Sequence, residues 1–363
     1  MQGAAGPAGF RSIDALQGLR AVAALLVVVA HAISMPARLL GIGGAYQEYG
    51  DFAGVVGVKL FFVVSGFVMV LSHSGDFRRR GMPTRFLARR LGRILPLYWI
   101  MTLVVVAIAP SLPSAAEIVW SMLLVPHQKI GGPFGWPVYV LGWTLQYEMF
   151  FYLLFACALR FSRTVGLALL TGAIAMLVAA SLSGILGSAN VLAYLGLPIS
   201  LHFVFGVAIG VARPWLVRRR WRPGFGVTLA LAIAATVAGC ALAWPDASWT
   251  LAAQTGGAAA TTLAVGICAL SQEGSSAHPV ARAARALGDA TYSIYLTHVF
   301  AILLLVALAT RLAWAVPLGA FVPLAILVSA AVGVAVYRWV ERPLVRSAGA
   351  WLGQRPGIGG RRL

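Results

Sequence analysis

The sequence predicts an all-α polytopic membrane protein of about ten transmembrane helices, with both termini cytoplasmic. Three observations carry this. The 363 residues are 60% hydrophobic and only 10% charged, whereas a soluble domain carries about 25% charged residues. Apolar runs of about 20 residues, the length that spans a hydrocarbon core, recur along the whole chain. The basic residues gather in alternate intervals between those runs, as expected when Lys and Arg are retained on the cytoplasmic side. A mean hydropathy of +0.87 leaves no room for a large soluble domain. The net charge of +18 does not signal nucleic acid, because the basic residues form short clusters between apolar runs.

Ten segments have the required length and character: about 16–35, 53–72, 92–109, 141–159, 165–184, 191–211, 225–243, 251–271, 290–309 and 317–337. Helices are expected, since every backbone group within the bilayer must be satisfied internally. With the N-terminus inside, only Arg38, Lys59, Lys129 and Arg311 fall on the outward half, four of the 28 basic residues. A wrong number of spans would scramble this asymmetry. Residues 1–350 then form a single membrane-embedded domain, and 351–363 a short basic cytoplasmic tail. The start of the chain is small and Gly/Ala-rich and lacks the basic residues of a cleaved signal peptide. The longest outward loop, 110–140, is rich in Pro and carries Trp120 and Trp136, and is read as a partly structured cap. Cys157, Cys240 and Cys268 lie within apolar segments without metal-like spacing, so they are read as packing residues and no metal site is expected.

Ionisable groups inside a membrane are costly and mark candidate functional sites. Arg20 and His31 are eleven residues apart in the first span, which puts them on one helix face about 16 Å apart along the axis. A snorkelling arginine with a hydrogen-bonded core histidine fits the same spacing. Glu148 is the one acidic residue well inside a predicted span. It lies about 18 Å from Arg160 and so at nearly the depth of His31. A His–Glu pair there would orient a general base; a structural interhelical hydrogen bond is the alternative. Tyr295 and His298 share one face of the ninth span. His202 reaches a similar depth without a comparable motif and is read as a core residue. Ser65 and Gly66 suit close helix packing. Arg85, Arg89, Arg90 and Arg93 make a basic fork at the inner boundary, which suits lipid headgroups or phosphates held by arginine geometry.

Six pieces in order resemble the acyltransferase 3 family of integral-membrane acyltransferases over essentially the whole chain. They are Arg20 with His31; Phe61-Phe62-Val63-Val64-Ser65-Gly66-Phe67; Arg90-Leu91-Gly92-Arg93-Ile94-Leu95-Pro96-Leu97-Tyr98-Trp99; Trp143-Thr144-Leu145-Gln146-Tyr147-Glu148-Met149-Phe150-Phe151-Tyr152; Tyr292-Ser293-Ile294-Tyr295-Leu296-Thr297-His298; and Glu341-Arg342-Pro343. The resemblance implies a membrane-bound O-acyltransferase of the bacterial inner membrane. It would take an acyl group, typically acetyl, from cytoplasmic acyl-CoA to a hydroxyl of an extracytoplasmic or lipid-linked glycan, as in exopolysaccharide or O-antigen biosynthesis. No tightly bound cofactor is implied; acetyl-CoA or another acyl-CoA is a co-substrate.

On this footing Arg20, Arg89, Arg90 and Arg93, with Tyr98 and Trp99 of the same motif, are expected to hold coenzyme A. Trp143, Tyr147 and Tyr152 are expected at the acceptor. His31 is the expected base, with Glu148 orienting it and Arg20 near the donor. Tyr295, His298 or Ser65 would donate to the oxyanion. If His31 is the base, the rate should fall as it protonates, near an unperturbed pKa of about 6.5. Acylation of a macrolide or other small molecule is an alternative, as is a proton-coupled carrier of lipid-linked sugars, since mid-membrane Glu and His also suit proton coupling. The expected partners are the acceptor, acyl-CoA and the lipid bilayer, with no nucleic acid.

Overall fold

A computed structural model describes residues 13–40, 46–128, 134–187, 190–218, 223–242, 251–271, 278–312 and 317–351. The fold is a helical bundle, and the described residues contain no strand, only isolated bridge residues such as Gln128 with Phe134. In chain order the helices are α1 (Asp14–Leu40), α2 (Tyr46–Ser72), α3 (Met82–Ile108), α4 (Ala115–Met122), α5 (Gly142–Ala158), α6 (Arg163–Leu182), α7 (Val191–Leu195), α8 (Leu201–Arg218), α9 (Phe225–Leu242), α10 (Leu251–Leu270), α11 (Pro279–Asp289), α12 (Thr291–Arg311), α13 (Leu318–Val336) and α14 (Arg342–Trp351).

All ten predicted segments fall on helices, although not all as single uninterrupted spans. Seven helical stretches among the described residues are long and apolar enough to cross a membrane: α1, α2, α3, α6, α8 with the turn before it, α12, and α13 with its continuation. The expected number of ten is thus met only in part by length and composition. Helix α5 has 17 residues, several of them polar: Thr144, Gln146, Tyr147, Glu148 and Tyr152. The described apolar stretches of α9 and α10 are Phe225–Ala238 and Ala258–Leu270. The segment 191–211 is broken. Asn190 caps α7 by accepting from the Ala193 N–H at 2.8 Å, and Leu197 is extended before Pro198, as a residue preceding proline prefers. A short 3₁₀ turn, Pro198–Ser200, then leads into α8.

The basic clusters sit where helix ends meet. Arg285 of α11 pairs with Asp14 at the start of α1 at 2.6 Å. The Arg78 backbone N–H, in the α2–α3 turn, reaches the Leu159 carbonyl after α5 at 2.8 Å. Arg213 of α8 donates to the Ala269 carbonyl near the end of α10 at 3.1 Å. This is the basic end of the bundle. The other end carries the 110–140 segment, whose expected partial order is found in α4. Ser114 closes α4 with a capping box: its hydroxyl accepts from the Glu117 N–H and the Glu117 carboxylate accepts from the Ser114 N–H. Residues 352–363, the expected basic tail, lie outside the described residues.

Helix α2 is the packing centre, lying against α1 and α8. Its approach to α8 is set by glycine. A Cβ on Gly66 would lie 2.2 Å from the Phe203 carbonyl oxygen, and one on Gly206 would lie 2.0 Å from the Val63 carbonyl oxygen. Neither contact leaves room for a methyl group, so the two backbones touch directly, as small residues allow between membrane helices. This bears out the packing role read for Gly66. Phe203 is sandwiched between Phe62 and Phe151, each stacked at 4.4 Å, which ties α2, α5 and α8 into one aromatic core.

Candidate active site

Helices α1, α2, α3, α5 and α12 surround a cavity of about 130 Å³ that opens to the outside. Its wall brings together Arg20, Ser65, Arg90, Arg93, Glu148, Tyr152 and Tyr295. Each reaches it for a local reason. Arg90 and Arg93 are i,i+3 neighbours and share one face of α3. Thr144, Glu148 and Tyr152 are spaced four apart on α5, and Thr291 and Tyr295 four apart on α12, so each set forms one stripe. Pro96 interrupts the hydrogen-bond ladder of α3 just beyond the arginines, since proline has no N–H for the carbonyl four residues earlier.

The cavity wall is dominated by cations. Arg20 donates through Nη1 to Gln17 Oε1 at 2.9 Å and through Nη2 to Thr291 Oγ1 at 3.0 Å, which fixes its plane. The guanidinium of Arg90 lies 5.3 Å from the ring centre of Tyr152 and 5.7 Å from that of Phe86, a cation–π arrangement that holds it without using its N–H donors on a carboxylate. Arg93 completes the set. Against these three stands Glu148 within the wall, and its carboxylate accepts from the Tyr152 hydroxyl. Glu341 is buried just behind. It accepts from Ser293 Oγ at 2.5 Å and interacts electrostatically with Arg93 and Arg20. A π-helical turn, Tyr337–Glu341, joins α13 to α14 at this point, a feature often found at functional sites.

Beyond Tyr295 lies a second polar layer. The Tyr295 hydroxyl is 2.9 Å from the Leu141 carbonyl and 2.8 Å from Thr144 Oγ1. Its ring centre is 6.0 Å from that of His298. His298 Nε2 in turn lies 3.3 Å from His31 Nδ1, with the two rings edge-on at 5.0 Å. The imidazole pair therefore stands one side chain behind the cavity wall.

Arg20, Ser65, Arg90, Arg93, Glu148 and Tyr295 meet at one cavity, and Tyr152, expected at the acceptor with Trp143 and Tyr147, stands among the arginines instead. Other expected placements are not found either. Arg89 is half-buried and does not line the cavity. His31 is not bonded to Glu148. Its side-chain partners are the Val27 carbonyl and His298, while Glu148 is taken by Tyr152 one turn along its own helix. Depth along two helices says nothing about which faces meet, and α12 stands where the Glu148 partner was expected. Tyr98 and Trp99 face the opposite end: the Tyr98 hydroxyl donates to the Ser121 carbonyl at 3.1 Å and Trp99 Nε1 to the Met122 carbonyl at 2.8 Å. They anchor α4. The Tyr147 hydroxyl donates to the Tyr194 carbonyl at 2.5 Å, and Trp143 packs edge-on against Tyr147 at 6.0 Å, so neither lines the cavity. Thr144 and Thr291 were missed, although four-residue spacing from Glu148 and Tyr295 is the signal that finds them. His202, read as core, is buried with Nδ1 against the Ile199 carbonyl at 2.9 Å.

The comparisons bear on this site as a whole. The acyltransferase 3 profile, described as an acyltransferase domain, matches residues 13–338. A curated relative, the exopolysaccharide production protein ExoZ of Rhizobium meliloti (strain 1021), is 36% identical over 300 residues, covering 81% of this chain and 90% of that protein. No solved structure matches. The match spans every helix that lines the cavity, and the chain belongs to the acyltransferase 3 family, as a membrane acyltransferase.

Proposed function

We propose that this protein transfers an acyl group, acetyl in the first instance, from acyl-CoA to a hydroxyl of an extracytoplasmic or lipid-linked glycan of the exopolysaccharide type. The observation that carries the reading is the convergence of three guanidinium groups, from α1 and α3, on one cavity with a single carboxylate in its wall. Such a wall favours a polyanion, and coenzyme A carries its charge on phosphates. Arginine is the side chain suited to phosphate geometry. The glycan acceptor rests on the likeness to the ExoZ protein, which is named for exopolysaccharide production.

In this reading the phosphates sit on Arg90, Arg93 and Arg20, and the pantetheine arm runs through the cavity past Ser65 and Tyr295 to bring the thioester to the His31–His298 layer behind them. The basic end faces the cytoplasm, the ten helical segments cross the inner membrane, and both termini are inside. The acceptor hydroxyl loses its proton to His31 as its oxygen bonds to the thioester carbonyl carbon. The carbon–sulfur bond then breaks, and the proton returns from His31 to the departing thiolate. Trp143 and Tyr147, away from the donor cavity, flank the acceptor's approach. The experiment is a transfer assay in detergent, with labelled acetyl-CoA and a lipid-linked glycan from the same cell membrane. Labelled glycan formed without a sealed membrane or ion gradient supports the reading. Uptake that needs sealed vesicles, with no ester formed, replaces the enzyme by a carrier.

A further inference from the structure

The hydrogen bonds around the two histidines determine where their protons lie. His298 Nδ1 is 2.7 Å from the Tyr295 carbonyl oxygen and 3.2 Å from that of Ile294. A carbonyl oxygen only accepts, so Nδ1 carries the hydrogen. A neutral imidazole has one N–H, which leaves a lone pair on His298 Nε2. That lone pair faces His31 Nδ1 at 3.3 Å. His31 Nδ1 also lies 2.9 Å from the Val27 carbonyl oxygen. Both neighbours of this nitrogen are acceptors, so it too carries the hydrogen and shares it between them. The remaining lone pair of the pair is on His31 Nε2, which has no hydrogen-bond partner among the described residues. The opposite tautomer of His31 would set its Nδ1 lone pair against a carbonyl oxygen and another lone pair at once.

We propose that His298 is a positioning residue that holds His31 as the Nδ1–H tautomer, so that Nε2 of His31 is the nitrogen that takes the acceptor's proton. The proposal rests on the reading of His31 as the base. It removes His298 from the oxyanion role, because a lone pair cannot donate. It also explains why no carboxylate is needed beside His31. When Nε2 takes the hydroxyl proton, the Nδ1–H of the imidazolium is already shared between two neutral acceptors, Val27 O and His298 Nε2. The proton leaves again from Nε2 to the coenzyme A sulfur. The device is the third member of a nucleophile–base–orienter set, which fixes tautomer and ring plane, with an imidazole in place of a carboxylate.

Two measurements test it on the full chain. The first is the ¹⁵N spectrum of the histidine-labelled protein in detergent, with the two rings among its six histidines assigned through His31→Gln and His298→Gln. Both rings protonated at Nδ1 is the expected result; an Nε2–H signal from either ring overturns the proposal. The second is kinetic. Gln at 298 can present an acceptor oxygen near the position of Nε2, whereas Leu cannot. His298→Gln should retain kcat within about tenfold of wild type, while His298→Leu should lose roughly a hundredfold, within the range of general-base catalysis. KM for acetyl-CoA should not change in either variant. A His298→Leu enzyme with wild-type kcat, or a His298→Gln enzyme as impaired as the Leu variant, overturns the positioning role. If both rings show Nδ1–H but the wild-type protein transfers no acyl group, the acyl-transfer reading fails and the proton assignment stands.

Discussion

At the residue scale the site divides into a charged part and a neutral part. Arg20 and Arg90 need no substrate to be held in place, because Gln17 and Thr291 fix the first and two aromatic rings the second. Their N–H donors are thus presented to a ligand at little cost in side-chain entropy. A hydrogen bond to a charged group contributes about 1.5–3 kcal/mol, so Arg93→Gln should raise KM for acyl-CoA about ten- to a hundredfold. That rise should shrink at high salt, where screening already weakens the wild-type contact; initial rates across donor and salt concentrations check both. His31→Gln should reduce kcat by roughly a hundredfold or more while leaving donor binding intact, as read by equilibrium binding of a non-hydrolysable acyl-CoA analogue. The arginines and the Tyr295–His298 face were legible in the sequence because residue spacing on one helix determines a shared face. The His31–His298 contact was not, because it joins residues 267 positions apart.

At the scale of elements, two devices shape the site. The first is the contact of α2 with α8 through Gly66 and Gly206, which lets the Ser65 end of α2 reach the cavity while the aromatic stack closes behind it. Gly206→Leu should push the helices apart; a fall in melting temperature and in the yield of monodisperse protein after detergent extraction is the expected outcome, with Gly206→Ala milder. The second is the anchoring of α4 by Tyr98 and Trp99. Trp99→Phe removes the bond to Met122 and should lower the melting temperature by a few degrees, since a neutral hydrogen bond contributes about 1 kcal/mol. The donor KM should stay unchanged, because Trp99 lies about 9 Å along α3 from Arg93 and does not line the cavity. The sequence placed Tyr98 and Trp99 in one motif with Arg90 and Arg93, but a helix spreads consecutive residues around its axis and along its length. One motif therefore serves two ends of the bundle.

At the scale of the whole molecule, the sequence anticipated a helical membrane protein from its hydropathy and the alternation of its basic residues. The helical architecture is found, with seven stretches among the described residues that meet the length and polarity of a span. The other three helices fall short in length: α5 has 17 residues, and the described apolar stretches of α9 and α10 are Phe225–Ala238 and Ala258–Leu270. The 191–211 segment breaks for a different reason, the extended residue forced by Pro198. Orientation is open to direct test. With single cysteines placed in an otherwise cysteine-free variant, a membrane-impermeant thiol reagent added outside should label a position in α4 and leave one in the Arg160–Arg163 turn unlabelled until the membrane is opened. The reverse pattern would invert the proposed topology and put the arginine cavity out of reach of cytoplasmic acyl-CoA.

What the sequence determined by itself was the class of solvent this chain folds in, the helices, and the cation-rich face of α3, because hydropathy and helical periodicity are local properties of the chain. Only the tertiary structure decided which faces meet. It turned Glu148 toward Tyr152 and the arginines, set His31 against His298, and sent Tyr98 and Trp99 to the α4 end. The reason is that the rotation of one helix about its axis relative to another is set by packing between helices distant in sequence, as in the direct backbone contact of α2 with α8 at Gly66 and Gly206 and the ring stack on Phe203. No spacing along a single helix encodes that rotation.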